Sequence, residues 1–197
     1  MHSIDIMLPF WGEPAYLFET VQAVLSQDCT DWRLTVVDDC YPDPSVAEYF
    51  RNLADERISY LRNESNLGIT ANYEKCVSLA TADLVMLLGC DDIPHPDFIS
   101  RVLSMHDAFP AAAIIQPGVR IIDSTGSTVD PFVDRIKRLT MPRTRVPRLL
   151  SGEYLAALFF GPIGYTGLPS CSSARPLCLL LSVRAFRSSR ILRSSSI

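Results

Sequence analysis

A chain of 197 residues with 48% hydrophobic and 20% charged residues can bury one sizeable core, which argues against disorder throughout. Its formal net charge of -4 has the wrong sign for a nucleic-acid binder, which presents a basic face to the phosphates. Its longest apolar runs, Leu155 to Tyr165 and Leu177 to Val183, fall short of the roughly 18 to 20 residues of a membrane span, and six cysteines without a CxxC pair or a signal peptide read as reduced thiols of a cytoplasmic protein.

Ile4 to Leu8 is a short apolar run that reads as a first strand, and Pro14 suits the first turn of a helix with Leu17, Phe18, Val21, Val24 and Leu25 on one stripe. Leu34 to Val37 gives a second strand, ending in Asp38-Asp39. Asp43-Pro44 is a cap followed by proline, opening a helix through Val46, Ala47, Tyr49, Phe50 and Leu53, and Ile58 to Leu61 forms a third strand. Another helix opens at Thr70 or Ala71, with Tyr73, Cys76, Val77 and Ala80 facing the core. Leu84 to Leu88 carries no charge and is bounded by Asp83 and Gly89, as expected of a strand buried on both faces. A helix from about Asp97 to His106 follows, then apolar segments at Ala112 to Gln116 and Val119 to Ile122, and a turn over Ser124-Thr125-Gly126-Ser127. Strands alternating with helices of this length predict an α/β fold, a mostly parallel sheet flanked by helices and joined by right-handed crossovers.

Charge is unevenly spread along the chain. All 22 Asp and Glu residues lie at or before Glu153, whereas residues 154–197 hold five arginines and no acid. From Leu168 the composition turns to Ser, Arg, Leu and Cys, which divides the chain into a partial domain over 1–167 and a weakly ordered tail over 168–197. Two origins for that tail stay open: a natural low-complexity segment, or a changed reading frame near Leu168, the second favoured because the break falls inside an unfinished domain. The run Leu177 to Val183 is the one part of it suited to dock as a helix or strand.

In a parallel sheet, the strand ends Pro9-Phe10-Trp11-Gly12-Glu13, Asp38-Asp39 and Asp91-Asp92 share one edge, where open α/β sheets bind ligands. Adjacent carboxylates repel unless a cation or hydrogen-bond donors compensate them, and hard oxygen donors completed by water and phosphate suit Mn2+ or Mg2+. Trp11 is suited to stack on a base, Asp38 or Asp39 to accept from a base N–H or ribose hydroxyl, and Asp92 to hold a divalent ion on the phosphates. Each has a plainer reading: Trp11 as a rim or core aromatic, Asp38-Asp39 as a cap turn, Asn66 as a turn residue before Gly68, and Asp91-Asp92 as a solvated turn before Pro94. Their joint placement favours a site.

Five blocks in order carry a resemblance: Ile4-Asp5-Ile6-Met7-Leu8-Pro9, Val24-Leu25-Ser26-Gln27, Val36-Val37-Asp38-Asp39, Asn66-Leu67-Gly68-Ile69-Thr70-Ala71-Asn72, and Leu88-Gly89-Cys90-Asp91-Asp92 with Pro96. Over about residues 3 to 130 the sequence resembles family 2 of the nucleotide-sugar glycosyltransferases. The resemblance implies a GT-A-like, Rossmann-like sheet with an incomplete acceptor half. It implies an NDP-sugar donor bound with Mn2+ or Mg2+, through nucleotide-binding residues Pro9, Trp11, Glu13, Asp38, Asp39, Asn66, Gly68, Asn72 and Asp91. Asp92 would be the direct metal ligand beside Asp91. The sugar would pass with inversion to a hydroxyl of a glycan or lipid-linked acceptor, in the cytoplasm or, by peripheral association, at the inner face of the membrane.

The sequence departs from the family pattern in three places. Cys40-Tyr41-Pro42-Asp43 replaces a Gly-Ser turn common after the first Asp pair, and Gly89 stands where many relatives carry Asp. The family's base is an acceptor-side Asp or Glu well after the metal site, yet no carboxylate follows Glu153, and His2, His95 and His106 come early, His95 being a remote alternative. The expectation is therefore donor binding with transfer very slow or absent, and no catalytic residue is assigned. Two other readings are a non-catalytic nucleotide-binding or interaction fragment, marked by the acid-free tail, and a nucleotidyltransferase, disfavoured because Phe10-Trp11-Gly12-Glu13-Pro14 supplies no basic residue.

Overall fold

The structure is a computed structural model that describes residues 3–117, 120–123, 126–129 and 179–182. In chain order it contains β1 (Ile4–Phe10), α1 (Pro14–Leu25), β2 (Trp32–Asp38), α2 (Ser45–Asn52), β3 (Ile58–Arg62), α3 (Ile69–Leu79), β4 (Leu84–Leu87), α4 (Phe98–Ala108), β5 (Ile114–Ile115) and β6 (Leu179–Ser182). The sheet runs β3-β2-β1-β4-β6-β5, with β3, β2, β1 and β4 mutually parallel and β6 antiparallel to both of its neighbours. β6 lies within the run Leu177 to Val183; the rest of the tail over 168–197 lies outside the described residues.

Strand order explains where the helices go. The chain winds outward from β1 through β2 to β3, then returns to the other side of β1 as β4, so right-handed crossovers put α1 and α2 on one face and α3 on the other. The core divides accordingly. Ile4, Ile6, Leu8 and Phe10 of β1 pack with Leu17, Val21, Val24, Val46, Phe50, Ile99 and Val102, whereas Met7, Val37 and Val85 pack with Cys76 of α3 and Ala80 just after it. Alternate residues of β1 thus serve opposite cores, and all seven are buried.

Several boundaries differ from the periodicity for identifiable reasons. β2 starts at Trp32 because Arg57 lies 4.0 Å over its indole ring and Arg33 is paired with Asp5, so charged neighbours finish the strand. α3 starts at Ile69, one residue early, after Gly68 at φ 82°. Its stripe also corrects the expectation for Tyr73, which is exposed; Asn72 is buried instead, because its amide donates to the Val37 carbonyl at 3.0 Å. Ala112 to Gln116 contracts to the two residues of β5. Beyond β5 an Ile122–Thr128 bridge closes over Gly126 at φ 79°; Val119, Ser124 and Thr125 lie outside the described residues.

One buried acid ties the N-terminal ends of three strands. Asp5 accepts from Arg33 Nη2 at 2.9 Å, from the Thr81 N–H at 2.6 Å and from the Ala82 N–H at 2.8 Å. Burial on its own raises the carboxyl pKa, but the Ala82 and Thr81 amides and the Arg33 guanidinium outweigh it and hold Asp5 below its ordinary value. A depressed folded-state pKa contributes stability that is present above the unfolded value and disappears as pH falls through the folded one. Asp5→Ala is expected to cost about 3 kcal/mol at neutral pH, since two strand-end amides and a cation lose their acceptor. Urea unfolding at pH 7 and pH 3 measures this: the deficit of the variant should narrow in acid, and a variant as stable as wild type at pH 7 would refute it.

Candidate functional site

The sheet reverses its winding between β1 and β4, and open α/β sheets hold ligands at the C-terminal edge of such a reversal. Pro9 opens that place. The β1–β4 register ends at Met7↔Leu87, with the Leu88 N–H donating to the Met7 carbonyl at 2.9 Å. The next rung of a parallel ladder needs an N–H from residue 9, which proline does not have. β1 continues beside β2 as far as Phe10↔Asp38, while β4 turns into the Gly89–Asp92 loop. Pro9 itself is buried, so it shapes the edge without offering a surface.

Trp11 and Glu13 follow on the rim. Trp11 is 46% exposed and meets Tyr41 edge to face at 5.3 Å, and Glu13 is exposed at the start of α1. On the β2 side the Asp39 N–H donates to the Phe10 carbonyl at 3.0 Å, so the Asp38-Asp39 turn abuts the β1 loop. On the β4 side Thr20 Oγ1 donates to the Cys90 carbonyl at 3.0 Å, which fastens the acidic loop to α1. Gln27 secures the chain further on, donating to the His95 carbonyl at 2.9 Å and accepting from the Ile99 N–H at 3.0 Å.

Asp38 and Asp39 are both buried and both occupied. Asp38 accepts from the Tyr41 N–H at 2.7 Å, the Tyr60 hydroxyl at 2.5 Å and Arg62 Nη1 at 3.1 Å. Burial and the Asp38 bond push the Tyr60 phenol up to about 12, so it stays a donor. Asp39 accepts from Asn63 Nδ2 at 2.7 Å and from the Leu67 and Gly68 N–H groups at 2.8 and 2.9 Å. Asn66 adds a second acceptor for the Gly68 N–H at 2.9 Å. Asn63 also donates to Asn72 at 3.0 Å and accepts from Lys75 Nζ at 2.7 Å. Asp39, Asn63, Asn66, Gly68 and Asn72 are therefore one hydrogen-bonded assembly, with Asn66 at its exposed edge.

At the end of β4, Asp91 is exposed and Asp92 buried. Asp92 folds back on the strand tip, accepting from the Gly89 N–H at 3.2 Å. Burial first, and the Asp91 charge second, push its carboxyl up to about 7 against that bond. Cys90 is held as a thiol, raised to about 11 by burial and then by Asp91, which leaves carboxylate oxygens as the donors of this loop. Among the described residues no cluster of three or more His, Cys, Asp and Glu side chains forms a metal site. Two hard oxygen donors, with remaining positions left to water and phosphate, fit Mn2+ or Mg2+. Tyr73 lies in the same neighbourhood: although 37% of the residue is exposed, its phenol is raised by partial desolvation and then by Cys90 and Asp92.

Sequence reading missed Thr20, Tyr60, Arg62, Asn63, Tyr73 and Lys75 at this edge. Arg62 at the tip of β3 had a usable signal, since β3 is the strand next to β2 and its end must lie beside Asp38. Asn63 had none, being one polar residue in a polar loop.

Fold and loops together define a doubly wound α/β domain with an acidic pair at its switch point. Its profile match is to Glycosyl transferase family 2 over residues 5–154, and the chain belongs to that family. It is 32% identical over 115 residues to the uncharacterized protein y4gI of Sinorhizobium fredii, covering 57% of this chain and 13% of the relative. It is 29% identical over 102 residues to WcaA of Escherichia coli K12, named as a glycosyl transferase of colanic acid biosynthesis (51% of this chain, 37% of the relative). It is 25% identical over 139 residues to TuaG of Bacillus subtilis, named as a glycosyltransferase of teichuronic acid biosynthesis (70% and 54%). The chain thus spans 13% to 54% of the length of these relatives. The fold is that of the GT-A glycosyltransferases. It matches S. aureus TarS 1-349, solved in complex with UDP-GlcNAc, with a TM-score of 0.52 at 19% identity (60% of this chain, 37% of that one). It matches the mannosyltransferase PcManGT from Pyrobaculum calidifontis, solved in complex with GDP-Man and Mn2+, with a TM-score of 0.53 at 17% identity (59% and 35%).

Cys40, in the turn after Asp39, has φ 62°, the left-handed region that glycine occupies without strain. Its thiol returns little, with Arg62 Nη2 at 3.8 Å and the Glu64 carbonyl at 3.7 Å. Cys40→Gly is expected to stabilise the domain by about 1 kcal/mol and Cys40→Val to destabilise it by about as much or more. Thermal unfolding of the two variants reads this directly, and the opposite order would exclude strain at residue 40.

Proposed function

We propose that this domain binds the nucleoside-diphosphate portion of an NDP-sugar at the edge where β1 and β4 part. The observation that carries the reading is that β1, β2 and β4 are parallel, so that Trp11, Asp38-Asp39 and Asp91-Asp92 share one edge around the opening beside Pro9. Relatives of the same fold solved with UDP-GlcNAc, and with GDP-Man and Mn2+, support this class of ligand.

In this reading each residue has a task its surroundings permit. The half-exposed Trp11 stacks on the base. Asp38 accepts from a base N–H, which requires one of its present donors to withdraw; Arg62, with a third of its side chain exposed on a flexible stem, is the one free to swing out. Asp39, through Asn63, Asn66, Gly68 and Asn72, holds the donor-side wall in place. Glu13 flanks the entrance. Asp91 and Asp92 hold the divalent ion, which when bound neutralises the departing diphosphate.

The second half of the reaction, attack by an acceptor hydroxyl with inversion, requires a base opposite the leaving group. Within these 197 residues, positions after Glu153 supply no Asp, Glu or His, and His95 is engaged with Asp97 at 2.6 Å. We therefore read this chain as competent in donor binding and poor in acceptor activation, a deficit of about 100- to 10,000-fold relative to a transferase with a positioned base. The same reading assigns that donor site to residues 1–167 and no part of it to the tail over 168–197.

Two measurements test the proposal. Calorimetry with UDP or GDP should show binding that strengthens with Mn2+, and Asp92→Ala should lose that metal-dependent part by more than about 10-fold; equal affinity in wild type and variant would remove the metal assignment. Release of NDP from UDP- or GDP-sugars should proceed slowly and at the same rate with or without a panel of glycan and lipid-linked acceptors. Robust acceptor-dependent turnover by the 197-residue chain would overturn the missing base and direct attention to Glu153 or His95.

A further inference from the structure

β4 is built as an interior strand. Leu84-Val85-Met86-Leu87 has no charge and no proline, the residues that guard a free sheet edge, and Leu84, Val85 and Met86 are buried. β3, the outer strand of the opposite flank, is partly exposed and carries Ser59 and Arg62. The parallel ladder to β1 covers one side of β4, from Ile4↔Leu84 to Met7↔Leu87. The other side is covered by β6, which comes from the acid-free tail: Ser182 pairs with Leu84, Leu181 with Val85, Leu180 with Met86 and Leu179 with Leu87.

β6 pairs with β5 as well, Leu181 with Ile114 and Leu180 with Ile115. In the order β4-β6-β5, β4 and β5 share no ladder of their own among the described residues. Residues 88–113 run between them and hold the Asp91-Asp92 loop and α4, so one tail strand joins both ends of the segment that carries the acids. The start of β4 is secured a second time, by the Asp5 bonds to the Thr81 and Ala82 amides. At the end that leads into the acids the two ladders carry that task, together with the Leu88 N–H bond to the Met7 carbonyl.

We infer that the tail strand Leu179–Ser182, which supplies no residue to the donor site, is a positioning element for the Asp91-Asp92 loop: it holds the strand end that leads into the acids and staples it to β5. This rests on the assignment of those acids to the donor in the proposed function. Without β6, β4 becomes an unguarded apolar edge, and β5, two residues long, has no partner strand among the described residues. The segment between them is then closed by side-chain packing and by the Thr20 and Gln27 bonds, and the height of the acidic loop above the sheet is no longer fixed by a ladder on both sides.

The test uses the full 197-residue chain. Successive residues of a strand turn their N–H groups to opposite neighbours, so Leu180→Pro and Leu181→Pro each remove one ladder bond, one on the β4 side and one on the β5 side. Leu180→Val keeps the N–H and is the reference. Amide hydrogen exchange, read by mass spectrometry, follows Leu84–Leu87 against Trp32–Asp38 of β2 as internal standard, and calorimetry reads UDP and GDP binding with Mn2+ and in EDTA. Both proline variants should exchange faster in β4 with β2 still protected, and should lose about 10-fold in the Mn2+-dependent part of nucleotide binding; Leu180→Val should match wild type. A second measurement needs no destabilised variant: under mild oxidation the opposed pair Met86→Cys with Leu180→Cys should cross-link in preference to Met86→Cys with Ser182→Cys, two rungs away. Unchanged β4 exchange in the proline variants, no preference between the two cysteine pairs, or a loss of β2 protection equal to that of β4 would each overturn the inference. Faster β4 exchange with unchanged Mn2+-dependent binding would overturn it too. Absence of nucleotide binding by wild type is a different result: it overturns the proposed function and the positioning role with it, while exchange and cross-linking still report the β4–β6 pairing.

Discussion

The parting of β1 from β4 beyond Met7 and Leu87 is the constraint on which the rest of the domain depends. At the opposite end the same strands are clamped: Asp5 of β1 binds Arg33 of β2 and the two amides that lead into β4. A parallel pair fixed at one end and released at the other forms a wedge, and Pro9 fixes where the release begins because it cannot donate the next rung. The loops after β1, β2 and β4 then have no course but around the mouth of that wedge. Thr20 of α1 and Gln27 just beyond its C-terminal end reach across to the segment after β4, so both lips are attached to the same stretch of chain.

Around that mouth the acids are divided between two kinds of work. Asp38 and Asp39 are wholly enclosed and spend their oxygens on protein donors, which fixes the end of β3 and the start of α3 relative to β2. Among the described residues Asp91 and Asp92 have far fewer protein donors: the Asp92 carboxylate accepts one long bond, from the Gly89 N–H. Burial first, and the neighbouring Asp91 charge second, accordingly push the Asp92 carboxyl upward. Among the described residues the first pair is thus satisfied by protein donors, and the second is not. Difference in donor supply, not in residue type, separates the two acidic pairs.

The parallel sheet was legible because each strand is a short apolar run closed by a polar break, and each helix carries one apolar stripe. The strand-end acids were legible for the same reason: once the strands are parallel, their ends share an edge. What escaped was tertiary polar bonding. Asn72 displaced Tyr73 from the buried stripe of α3 because an amide that bonds the Val37 carbonyl and Asn63 loses little by burial, and no periodicity counts that. Arg33 and Trp32 extended β2 through an ion pair and a guanidinium stack that involve residues distant in sequence. The replacement of a Gly-Ser turn at Cys40 was visible as a departure, but its price in backbone strain appears only with φ 62° in hand.

The bonds that hold the strand-end acids come from one stretch of the chain, although β4, which leads into Asp91 and Asp92, is also paired along its length with β6. Among the described residues the hydrogen bonds to the Asp38, Asp39 and Asp92 carboxylates all join residues between Asp38 and Asp92, and the described members of both apolar cores lie between Ile4 and Ile115. Leaving-group stabilisation and acceptor activation are chemically distinct demands, one electrostatic and the other a proton transfer. They are also separate along this chain: carboxylates are plentiful up to Glu153 and missing after it. Support of a leaving group and deprotonation of an acceptor can therefore be met by different stretches of a chain, and among the described residues the polar bonds that hold Asp38, Asp39 and Asp92 draw nothing from positions after Glu153.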